Sequence, residues 1–258
     1  MDNPILLGGL ASLIAGSMSG VGALPVLFGA SVSRRLNDTA LGFAAGVMIS
    51  ASFFSLILPG IDRATELYGS TFLAALAAGL GIALGAAAVW QLNARVPHEH
   101  FVTGPDGARN DAIPKIWLFV IAITIHNLPE GMAVGVGFGG EDISNGISLA
   151  TGIGLQNAPE GLAVAVALRG QNYGRLFSVG IALLTGLVEP IGGLIGAAAV
   201  TVSAFALPVG LAFAAGAMLY IISHEIIPET HRNGHENPAT FGLITGLILM
   251  MILDVTLG

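Results

Sequence analysis

Long apolar stretches alternate with short polar breaks along the chain, and eight of them can be delimited: residues 5–30, 40–61, 70–92, 116–137, 147–168, 176–200, 204–222 and 239–257. An apolar helix of about 20 residues matches the roughly 30 Å hydrocarbon core of a bilayer. The pattern therefore predicts an all-α integral membrane protein, a single domain of eight transmembrane helices over residues 1–258. Only the break at 93–115 is long, and its Pro97, Gly104, Pro105, Gly107 and Pro114 read as a loop. The N-terminal MDNPILLGGLASLIAG lacks the basic region of a cleavable signal and reads as the start of a retained span.

Composition supports this reading. Hydrophobic residues make up 54% of the chain and charged ones 10%, whereas a soluble domain is about a quarter charged. The 37 glycines suit helices that approach closely in lipid, and a biased genome composition would produce them equally. With no cysteine, disulfides and thiolate metal sites are excluded, which leaves His, carboxylate, amide and thioether ligands. The net charge of -7 comes with no polybasic run, so no nucleic-acid partner is expected. Of nine basic residues, Arg34, Arg35, Arg95, Arg109, Lys115, Arg169, Arg175 and Arg232 follow the odd-numbered spans, and only Arg63 falls on the other side. Because cytoplasmic loops are enriched in Lys and Arg, both termini are expected outside and the long loop in the cytoplasm.

The chemistry lies in a repeat. HNLPEGMAVGV at 126–136 is echoed by QNAPEGLAVAV at 156–166, one span and a turn later, so the copies run in opposite directions through the bilayer. Antiparallel repeats that meet near the midplane are a recurrent way to build a transport site. Glu130, Glu160 and Glu189 sit deep in apolar spans that contain no Lys or Arg beside them. Each such charge costs about 2.5–3.5 kcal/mol at a helix centre, and only protonation, a cation or a wet cavity offsets that. The i, i+3, i+4 rule places His126 and Asn127 on the face of Glu130, and Gln156 and Asn157 on the face of Glu160. Imidazole with carboxylate suits Zn, Fe, Mn and similar divalent ions. Pro129 and Pro159 free the carbonyls of Ile125 and Leu155 and are expected to kink the fourth and fifth helices beside these ligands.

HNLPEG in the fourth span and QNAPEG in the fifth resemble the signature of the ZIP (Zrt- and Irt-like) family of divalent-metal transporters, bacterial type. The likeness extends to eight spans, outside termini, a His-containing loop after the third span, and the Glu189–Pro190 pair. It implies a 3+2+3 arrangement of inverted repeats, alternating access and a homodimer in the lipid bilayer, and the absence of a presequence and the compact loops fit a bacterial inner membrane. It also implies a binuclear centre. His126, Glu130, Gln156 and Glu160 would hold one metal, with Met48 as a possible thioether ligand. Asn127, Glu130, Asn157, Glu160 and Glu189 would hold the other, so that Glu130 and Glu160 bridge. Relatives frequently carry His at position 156 and some carry Asp at 157, so Gln156 and Asn157 bear on ion preference. The transported ion would be Zn(II), Cd(II) or similar, with no resident cofactor and no catalytic residue.

Several other residues have two readings. Met48 serves packing as readily as ligation. Ser55 and Asp62 line an entrance, or Asp62 is a solvated helix end. His224, Glu225, Glu229, His231 and His235 either receive released metal at the cytoplasmic end of the seventh span or belong to a wet loop. His98 and His100 make a weak chelator, and Asp254 is expected to face water near the outer C-terminus. Two competing classes use the same residues. An intramembrane metal hydrolase lacks its His-Glu-x-x-His pair here, and a passive metal channel is not separated from a carrier by any sequence feature.

Overall fold

The computed structural model describes residues 3–29, 32–100, 104–106, 113–139, 143–203, 205–231 and 234–257. A backbone in hydrocarbon must satisfy its own polar groups, and helices do so throughout. Among the described residues eight helical rods follow one another: α1 (Pro4–Phe28), α2 (Arg34–Tyr68), α3 (Thr71–Arg95), α4 (Lys115–Gly137), α5 (Ile143–Gly170), α6 (Arg175–Thr201), α7 (Ala206–Thr230) and α8 (Glu236–Leu257). Seven are long and apolar enough to cross a membrane. The remaining one, α5, has 28 residues, ample length at 1.5 Å per residue; Gln156, Asn157 and Glu160 dilute its hydropathy. The chain is an all-α, multi-pass membrane protein.

Caps set several helix starts. Asn3 accepts from Ile5 N at 3.0 Å ahead of Pro4, and Ser33 accepts from Leu36 N at 3.2 Å, each meeting an otherwise orphaned N–H. The Ser33 cap starts α2 six residues before its apolar stretch begins at 40. Inside the long connection, the expected loop contains a short antiparallel ribbon, β1 (His98–His100) with β2 (Gly104–Asp106), and β1 lies along α4. Arg109 and Arg232 lie outside the described residues.

The principal helix pairings are α2 with α8, α3 with α7, α1 with α5, α4 with α6, and α1 with α6. Exchanging α1 for α6, α2 for α7, α3 for α8 and α4 for α5 maps this set onto itself, as inverted repeats require. Local structure follows the same exchange. A π-helical stretch interrupts α2 at Ala51–Ile57 and α7 at Ile222–Ile226, with Pro59 and Pro228 just beyond. Each proline lacks the N–H that would pair with the carbonyl four residues back, Ser55 or His224, and the ladder slips by one residue there.

Burial places the site-bearing helices at the centre. The apolar stretch of α4 is 78% buried, whereas those of α3 and α8 are 28% and 17% buried and turn Phe72, Leu80, Phe241 and Ile252 outward. Glycine permits the closest approaches at the centre. A Cβ on Gly131 would strike the Glu189 carbonyl of α6, and one on Gly161 the Ser19 carbonyl of α1. The glycine that follows each repeat glutamate thus lets a neighbouring backbone come into contact.

Candidate metal centre

Pro129 and Pro159 sit inside continuous helices, and the polar residues around them face inward. His126, Asn127 and Glu130 on α4, Gln156, Asn157 and Glu160 on α5, and Glu189 on α6 are all buried. The carboxylates of Glu130, Glu160 and Glu189 are mutually within electrostatic reach, and His126 is within reach of Glu160. Amides stand beside them: Gln156 next to Glu130, and Asn157 Nδ2 donating to Glu189 Oε1 at 2.6 Å and to the Ala15 carbonyl at 2.9 Å. Electrostatic and hydrogen-bond contacts link His126, Glu130, Gln156, Asn157, Glu160 and Glu189 across the three helices, and Asn127 is buried on the same helix as His126 and Glu130.

Their hydrogen-bonding capacity is largely unspent. Thirteen buried side-chain polar atoms have no partner among the described residues, and ten of them belong to Asn127, Glu130, Gln156, Asn157, Glu160 and Glu189. A buried unsatisfied group costs about 1–3 kcal/mol, so a cluster of them is unfavourable unless something binds there. The donor set of carboxylate, amide and imidazole fits a divalent cation with water. Among the described residues no three His, Asp or Glu side chains close around one point on their own. A bound cation would offset the mutual repulsion of the three carboxylates.

His126 has a partner that its motif does not contain. Its Nε2 lies 2.5 Å from Glu225 Oε2, and Asn93 Nδ2 donates to Glu225 Oε1 at 2.6 Å, all three residues being buried. Glu225, expected in a group at the cytoplasmic end of the seventh span, is buried and turned toward His126. The π-helical stretch of α7 continues past the apolar window that ends at 222 and carries Glu225 inward. A cavity of about 30 Å³ joins His126 and Glu160 to Glu225 and Glu229, room for one or two waters. His224 instead lies exposed against Tyr220, and His231 bonds to the Ile227 carbonyl and Thr240. His235 Nδ1 meets the buried Asp38 at 2.8 Å. Met48 sits wholly buried in the apolar core with Leu149, Ile153 and Met218.

On the opposite side a cavity of about 260 Å³ is lined by Asp62, Glu66, Asn145 and Asp254. Ser55 lies one layer beneath, its hydroxyl donating to Asp254 Oδ1 at 2.5 Å, and Ser148 donates to the same oxygen at 3.2 Å. Asn145 Nδ2 takes up the Ser55 carbonyl at 3.1 Å, the group that Pro59 leaves free. Asp254, half-buried, lines this cavity while accepting from Ser55 and Ser148. Asn93, Asn145 and Ser148 carried no recognisable signal, because each is a lone polar residue near the end of an apolar stretch.

Fold and site define a polytopic helical membrane protein with an acidic, amide-rich centre held by its innermost helices. The family model described as ZIP zinc transporter matches residues 97–254, and the chain belongs to that family, whose members are transporters and not enzymes. It is 48% identical over 253 residues to the zinc transporter ZIPB of Bordetella bronchiseptica, covering 98% of this chain and 81% of that one. It is 44% identical over 251 residues to the zinc transporter GufA of Myxococcus xanthus (97% and 99% covered). Human zinc transporter ZIP11 is 34% identical over 330 residues, with 96% of each chain covered.

Proposed function

We propose that the chain, as one transporter domain, moves Zn(II) or a similar divalent ion such as Fe(II), Mn(II) or Cd(II) into the cytosol. Ions pass through a binuclear centre at the membrane midplane by alternating access. Glu130 and Glu160 bridge two metals; His126 and Gln156 complete one position, with Met48 at its edge, and Asn127, Asn157 and Glu189 complete the other. Asp62 and Ser55 belong to the outer approach, and Glu225 and Glu229 to the inner one. The observation that carries this reading is the set of ten unpartnered buried polar atoms on six of these residues. The names of the relatives support zinc as the first ion to test. Both termini face outside, the 93–115 connection faces the cytoplasm, and the working form is a homodimer in a bacterial inner membrane.

The test is uptake by purified protein in liposomes across a panel of divalent ions. Saturable, temperature-sensitive uptake of Zn(II) or a close relative is expected, and equilibrium metal binding should weaken on acidification because protons compete for the ligands. Conductance-like flux would replace the carrier with a channel. No flux of any transition metal by folded protein would overturn the proposal.

A further inference from the structure

Away from the metal centre, the adjoining ends of α1, α5 and α6 border an open cavity of about 340 Å³. Its walls include Val26, Val32 and Val166, and two guanidinium groups, Arg169 and Arg175, reach into its lining. Arg169 Nη1 donates to the Tyr173 carbonyl, and Arg175 Nη1 to the Leu27 carbonyl at 3.3 Å. Gly29, at φ 83°, makes room for the second, since a Cβ there would stand 3.0 Å from Arg175 Nη2. Each guanidinium carries five N–H donors, so most remain free. Among the described residues neither has a carboxylate partner, and no acidic side chain lines the cavity. Helix α6 begins at Arg175 with Gly174 as a cap that offers no side-chain acceptor, which adds the positive end of its dipole.

The surroundings are amphipathic. Phe28 and Leu176, 86% and 77% exposed, flank the cavity in sequence, and Arg34 and Arg35 follow α1 on the same side of the bundle. Two uncompensated cations lining one cavity, each a planar fork of N–H donors, match an oxyanion with several acceptor oxygens, and phosphate is the prime example. A basic pocket between helix ends at headgroup depth is where anionic lipid binds. We propose that this cavity binds the phosphate of an anionic phospholipid, clamped by Arg169 and Arg175, with acyl chains over Phe28 and Leu176. None of these residues belongs to the metal centre, so the two proposals stand or fall separately.

Native mass spectrometry of the full chain in detergent, titrated with phosphatidylglycerol or phosphatidylcholine, tests the site, with inorganic phosphate as the soluble competitor. Phosphatidylglycerol should bind preferentially. Arg169→Gln combined with Arg175→Gln should weaken it by about thirty-fold, the loss expected for two surface cations. Val32→Trp keeps both charges but obstructs part of the cavity, and it should weaken binding too while the protein melts as a folded one. Arg63→Gln, on the other side of the bundle, should change nothing. Equal binding of the two lipids, or equal losses for the double variant and Arg63→Gln, would overturn the site. Full displacement by millimolar inorganic phosphate would overturn the lipid assignment.

Discussion

At the scale of single residues, the contact between His126 and Glu225 links the signature motif to the inner approach. Under the proposed function, a metal at His126 would have to displace Glu225 from Nε2, 2.5 Å away, which would couple the site to Glu225. Residues in one hydrogen-bonded network show coupling of about 0.5–3 kcal/mol in double-mutant cycles. His126→Ala, Glu225→Gln and the double variant, followed by thermal unfolding, should therefore be non-additive, and strict additivity would remove the contact from the account. The motif residues themselves were legible because polar side chains at i, i+3 and i+4 stand out against an apolar span. Glu225 was not, since nothing local tells a glutamate at the end of an apolar window from one carried inward by a longer helix.

Elements show the same limit from another side. The eight apolar windows correspond to the eight rods, yet α2 runs on to Tyr68 and α7 to Thr230, because helix continues through Asp62, Glu66, Glu225 and Glu229 after hydropathy has fallen. The π-helical stretches follow from Pro59 and Pro228 only once the freed carbonyls are traced in three dimensions. Helix contact, by contrast, rests on the glycines. Gly131→Ala and Gly161→Ala each drive a Cβ into a neighbouring backbone carbonyl, and overpacking of this kind costs about 1–3 kcal/mol. Gly79→Ala and Gly180→Ala meet nothing within 4 Å and replace a poor helix former with the best one. Thermal stability should fall for the first two and hold or rise for the second two. Indifference at Gly131 and Gly161 would mean that α4–α6 and α1–α5 are looser than described.

For the molecule as a whole, orientation rests on the eight-to-one division of basic residues. The cysteine-free chain permits a direct check at Gly107, Asn233 and Gly140, three positions outside the described residues. Cysteine at Gly107 or Asn233 should resist an impermeant thiol reagent in intact cells, and cysteine at Gly140 should react; the opposite pattern inverts the topology. The helix pairings that relate α1–α3 to α6–α8 surround the residues of α4 and α5 on which the proposed transport depends. The central claim is that Glu130 and Glu160 hold two metals between them. Metal stoichiometry, by calorimetry or anomalous diffraction on folded protein, tests it most directly. Wild type should bind two ions at the centre, Gln156→Ala should weaken one of them, and Glu130→Gln with Glu160→Gln should bind neither. A folded double variant that still binds two ions there would contradict the account.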